Sequence, residues 1–128
     1  MKQITQKELL LLSHNFQVRF ALFCAYQVED KWKPFPEAIE AVRMAELWLE
    51  WKASSKECEV AAHAANVAYA AANAAANAAY AATNASYAAY AASYAASGKD
   101  KAKLTKEQWD YYNQLLSFHE EFERVMFA

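Results

Sequence analysis

Residues 60–98 read VAAHAANVAYAAANAAANAAYAATNASYAAYAASYAASG, and this run decides the fold. It contains no Asp, Glu, Lys or Arg, and alanine fills most of it. Alanine is the strongest helix former, because it loses no side-chain entropy in a helix. The run is long enough to cross a membrane, but its content argues against that. Asn66, Asn73, Asn77 and Asn84 would each cost kilocalories in hydrocarbon without partners, and no Leu, Ile, Phe or Met accompanies them. The expectation is a helical segment of a protein with no membrane partner.

Written in heptads, the run has two kinds of position. Two columns, Ala68/75/82/89/96 and Ala71/78/85/92, are alanine throughout. Small residues let helix axes approach to the lower end of the 8–10 Å range, so the bare columns predict close packing. The lone Thr83 speaks against an ice-binding face. Three adjoining columns carry His63, Asn66, Tyr69, Asn73, Asn77, Tyr80, Asn84, Tyr87 and Tyr94, and Tyr90 shares the column of Tyr69. Two readings of this polar-aromatic face stay open. It is a structural network or solvated face, its amides bonded to tyrosine hydroxyls and carbonyls. Alternatively it is a binding groove, where rings stack and amides offer paired donors and acceptors. If any surface carries function, these nine residues are the candidate binding site.

A straight helix over 55–97 would be about 65 Å long, against about 35–40 Å for a compact domain of this size. Either the helix breaks, with Thr83-Asn84-Ala85-Ser86 the best candidate because those side chains compete for backbone hydrogen bonds, or the protein is elongated and dimeric.

Outward from this run, capping boxes mark other helix starts. Thr5-x-x-Glu8 precedes a face of Leu9, Leu12, Phe16, Phe20 and Phe23. Pro36 suits a first helical turn, and Ala38, Ala41, Val42, Ala45, Trp48 and Leu49 follow as a buried stripe. Ser54-x-x-Glu57 opens the alanine run, and Gly98 is a natural left-handed stop. Thr105-x-x-Gln108 precedes Tyr111, Leu115, Phe118, Phe122 and Val125, a 4-3-4-3 seam. The predicted helices are 6–28, 36–52, 55–97 (broken) and 106–127. The fold expected is a single all-α domain over 1–128, a compact bundle of four or five helices. One Gly and two Pro among 128 residues exclude a turn-rich β fold.

Charge and chemistry narrow the function. The net charge of −2 and the lack of a basic run oppose nucleic-acid binding. Cys24 and Cys58 sit in apolar helical patterns and read as reduced core thiols of a cytoplasmic protein. Leu9 to Leu12 is too short for a secretory core. Glu59 and His63, with Cys58 nearby, lack the second ligand set that a di-iron bundle needs. His119 and Glu123 read as an exposed helix face. One glycine cannot build a phosphate loop. The expectation is no enzyme, no metal and no cofactor. Aromatic seams and the alanine face invite a second copy, so a homodimer is expected.

Phe20-Ala-Leu-Phe-Cys-Ala25, Pro36-Glu-Ala-Ile-Glu-Ala41, Trp48 and Ala61-Ala-His-Ala-Ala65 resemble the alanine-rich immunity proteins of bacterial polymorphic toxin systems, over about residues 16 to 97. The resemblance implies an all-helical protein that binds and neutralises a protein toxin, or a diverged member aimed at a defence effector. The alternative is a protein that sequesters a small nucleotide-like ligand on the Asn/Tyr face, serving anti-defence in a phage or mobile element. Asn and Tyr stand where the family places Arg and further His. Leu49-Glu50-Trp51 stands where it places a glycine after the tryptophan.

Overall fold

The computed structural model describes residues 2–68, 73–84, 87–98 and 100–127. Among them are eight helices and no strand: α1 Gln6–Leu9, α2 His14–Gln27, α3 Glu29–Trp32, α4 Pro36–Leu49, α5 Ser55–Ala68, α6 Asn73–Tyr80, α7 Tyr87–Ala95 and α8 Lys101–Phe127. The all-α class is as expected, while the expected four or five helices become eight, six of them at least seven residues long.

The extra helices come from breaks that the apolar periodicity hides. The predicted 6–28 helix is two pieces, α1 and α2, and a further short helix, α3, follows it. Thr5 starts α1, its N–H and hydroxyl both donating to the Glu8 carboxylate. Ser13 then restarts the chain as the N-cap of α2, its Oγ accepting from the Phe16 N–H. Val28, at φ −122° and ψ 33°, separates α2 from α3. The Ser54–Glu57 box forms reciprocally at the start of α5.

Two predicted boundaries are wrong. Helix α8 begins at Lys101, so Thr105 and Gln108 lie inside it and cap nothing. Both are buried, and Gln108 cross-links helices: its Nε2 donates to Gln27 Oε1 at 2.9 Å and to the Ala92 carbonyl at 3.1 Å. Gly98 does not have positive φ; the positive φ among the described residues is at Trp51, 64°. Trp51 follows α4 at its C-terminus, where the resemblance leads one to expect glycine, and its side chain is 94% exposed. A left-handed tryptophan with no burial is strained backbone without compensating packing.

The long alanine helix is broken as predicted, near Thr83 and Asn84; residues 85 and 86 of that prediction lie outside the described residues. α6 ends at Tyr80 and residues 81–83 form a turn. Ser55 Oγ donates to the Ala82 carbonyl and Thr83 Oγ1 to the Ser55 carbonyl, so the start of α5 meets the end of α6 and the two run antiparallel. α6 packs against α2, α4, α5 and α7. Every residue from Ala74 to Ala79 is buried. Alanine on all sides, rather than on one face, is what lets four helices close around an eight-residue one. Ala75, Ala82, Ala92 and Ala96 from the bare columns are buried too. These described alanines are covered by the chain's own helices.

α8 runs antiparallel to α2: Gln27 bonds the Leu104 carbonyl, Phe23 stacks on Tyr111, and Phe16 meets His119 edge-on. Beyond that point α8 has passed the start of α2. The expected seam packs at Tyr111 and Leu115 but not further, since Phe118 is 60% and Val125 70% exposed; the Phe122 side chain lies outside what the structure describes. Cys24 and Cys58 are free and buried, and Cys58 Sγ lies 3.3 Å from the Met44 carbonyl. Burial pushes the Cys58 thiol up to about 11. No helix among the described residues is long and apolar enough to cross a membrane.

Candidate functional site

Three helices contribute to one cleft of about 380 Å³. Asn66 comes from α5, Asn77 and Tyr80 from α6, and Tyr87, Tyr90 and Tyr94 from α7. The sequence places all six on one face of one helix and makes five of them, all but Tyr90, site candidates. They do converge, but for another reason: the breaks fold the segments back, and side chains from three short helices meet at their junction. Tyr80 and Tyr87 stack across the α6–α7 turn, centroids 4.9 Å apart and planes at 28°. Tyr90 tilts against Tyr87 at 5.6 Å. His63 Nδ1 is 3.5 Å from the Tyr80 hydroxyl, tying α5 to the rim.

The other candidates fall elsewhere. Asn73 opens α6, half-buried, and does not line the cleft. Asn84 sits in the turn, its carbonyl accepting from the Tyr87 N–H. Tyr69 lies outside the described residues. Tyr90 was passed over by the sequence choice, although its place one turn after Tyr87 was a signal for it.

Asn77 differs from the other buried amides. Gln17 Nε2 donates to the Leu12 carbonyl while its Oε1 is buried without a partner, and Gln108 bonds Gln3, Gln27 and the Ala92 carbonyl. Asn77 is only 7% exposed, lines the cleft, and its side-chain amide makes no hydrogen bond to a described residue. Tyr90 and Tyr94 are 53% and 47% exposed, so the walls opposite that amide are open to an incoming group. Among the described residues, no charged side chain lines the cleft. Burial, then the neighbouring Tyr87 and the Glu59 carboxylate, raise the Tyr80 hydroxyl, which therefore stays protonated and able to donate.

A larger cleft of about 510 Å³ lies between α2 and α8, floored by the stacked Phe23 and Tyr111. Tyr26, Gln27, Glu107 and Asp110 of its lining already have partners. Tyr26 donates to Glu46, Gln27 to Glu107, and Lys106 pairs with Asp110. Burial and the Glu46 carboxylate push Tyr26 up to about 12. With four of its polar side chains paired internally, this cleft is the weaker site despite its size. Phe23 and Tyr111 read from sequence as plain core seam, which gave no signal of it.

No group of three His, Cys, Asp or Glu side chains among the described residues is arranged to hold a metal ion. Comparison with protein-family models, with curated proteins and with solved structures finds no match.

Proposed function

We propose that this chain is a non-catalytic binding protein that works by occupying its target with the Tyr/Asn cleft and the tyrosines around it. The target is a protein toxin or defence effector, the partner its resemblance to immunity proteins implies. One observation carries the reading: the side chain of the buried Asn77 bonds no described residue and lines the same cleft as the half-exposed Tyr90 and Tyr94. Tyrosine and asparagine are the residues of natural recognition surfaces, because the ring supplies rigid contact area with two torsions and the amide adapts its hydrogen bonds. The test is co-expression with a panel of bacterial toxin domains. Wild type restores growth against a cognate toxin, and Tyr90→Ala/Tyr94→Ala does not. A folded double variant that still protects refutes the site.

The concave shape favours a second reading, a small nucleotide-like ligand held in the same cleft. Native mass spectrometry separates the two: a co-purifying base-containing molecule supports the second. Self-association belongs to the proposal through another surface, the exposed Phe118, Val125 and Met126 of α8. Light scattering that reads a monomer at micromolar concentration would refute it.

A further inference from the structure

The cleft's chemistry narrows what it can take, on the reading that it is the working surface. Asn77 is nine-tenths buried as a residue, and its carboxamide, a donor and an acceptor side by side at the cleft, bonds no described residue. An edge with the same pair in reverse satisfies both at once, and the N6/N7 edge of adenine is such an edge for Asn. The walls are tyrosine rings, flat faces on which a base stacks. A volume of about 380 Å³ lies within the range of small-ligand sites. Among the described residues that line the cleft there is neither Lys nor Arg, and Glu59 lies close enough to act on Tyr80. A phosphate would lose its hydration there without a counter-charge. The Asn66 amide and the tyrosine hydroxyls suit the hydroxyls of a sugar instead.

The geometry points to a site for a neutral purine nucleoside of the adenosine type, its base edge on Asn77 and its ring against the α7 tyrosines, with the nucleotide disfavoured. The probes are adenosine, adenosine monophosphate and uridine, titrated into the full chain and followed by amide resonances of 15N-labelled protein. Adenosine should saturate, moving the Asn77 side-chain amide and the backbone of α7. The monophosphate and uridine should each bind at least tenfold more weakly. Asn77→Ala and Tyr90→Ala should each weaken adenosine at least tenfold while keeping the wild-type spectrum elsewhere. No saturable shift at millimolar adenosine overturns the proposal, as does monophosphate binding as tightly, or affinity unchanged in Asn77→Ala. If adenosine fails while Tyr90→Ala/Tyr94→Ala still abolishes toxin protection, the nucleoside proposal falls and the protein-binding surface stands. If that variant also protects, both fall.

Discussion

Replacing Asn77 by alanine distinguishes a binding amide from a structural one, because the two roles move stability in opposite directions. Asn is a poorer helix former than Ala by roughly half a kcal/mol. A buried amide without a partner costs about 1–3 kcal/mol; Asn77 borders an open cleft, so the lower end applies. The lost contacts of the amide offset part of this, and no closed cavity is left, since the side chain lines the cleft wall. The net expectation is a gain of about 1 kcal/mol, or about 3–5 °C in Tm for a domain of this size. Gln108→Ala is the contrast. That amide is fully buried and bonded to Gln27 and Ala92, so its removal should cost about 2–4 kcal/mol. Urea and thermal unfolding followed by circular dichroism read both. An Asn77→Ala protein that melts earlier than wild type would show the amide to be part of a structural network and would refute the reasoning.

Ala78→Leu should destabilise by about 1–3 kcal/mol, because α6 is enclosed by four helices and has no room for three more carbons; Ala64→Leu, on the exposed side of α5, should be near neutral in the same urea melts. Trp51→Gly should stabilise by up to about 1 kcal/mol, since it relieves a left-handed conformation and removes a ring that is almost wholly exposed; a loss of stability would mean the indole packs on something. Glu8 is held down to about 2, from an ordinary 4.5, by the Lys2 ammonium first and then by the Thr5 hydroxyl and N–H. A lowered carboxylate contributes stability that is complete above the ordinary value and lost as pH falls toward the folded one. The advantage of wild type over Glu8→Gln, about 0.5–1 kcal/mol for an N-terminal cap, should therefore hold from pH 5 upward, shrink below about 4.5 and vanish near 2. An advantage that persisted at that acid end would place the effect outside the carboxylate.

The helical class was legible from composition, and so was the likeness of the alanine run to a tightly packed segment, because helix propensity and side-chain volume are properties of single residues. The capping pairs at Thr5 and Ser54 were legible for the same reason: each acts within one turn. What misled was periodicity carried across breaks. Leu9, Leu12, Phe16, Phe20 and Phe23 keep a helical spacing although the helix stops after Leu9 and restarts at His14, since apolar positions can face one core from two short helices as well as from one long one. Thr105-x-x-Gln108 has the residues of a capping box, yet Gln108 is used for a long-range bond to Gln27, eighty-one positions away.

The candidate site divides in the same way. That Asn and Tyr gather in one register was visible in the residues. Which of them meet was decided by how α5, α6 and α7 fold back on one another, which brings Asn66, Asn77 and Tyr94 to one cleft and leaves Asn73 and Asn84 outside it. Whether an amide is bonded or bare is likewise a tertiary property. Local sequence sets what a side chain can donate or accept, but only the packing of distant segments decides whether a partner arrives, as one does for Gln108 and does not for Asn77.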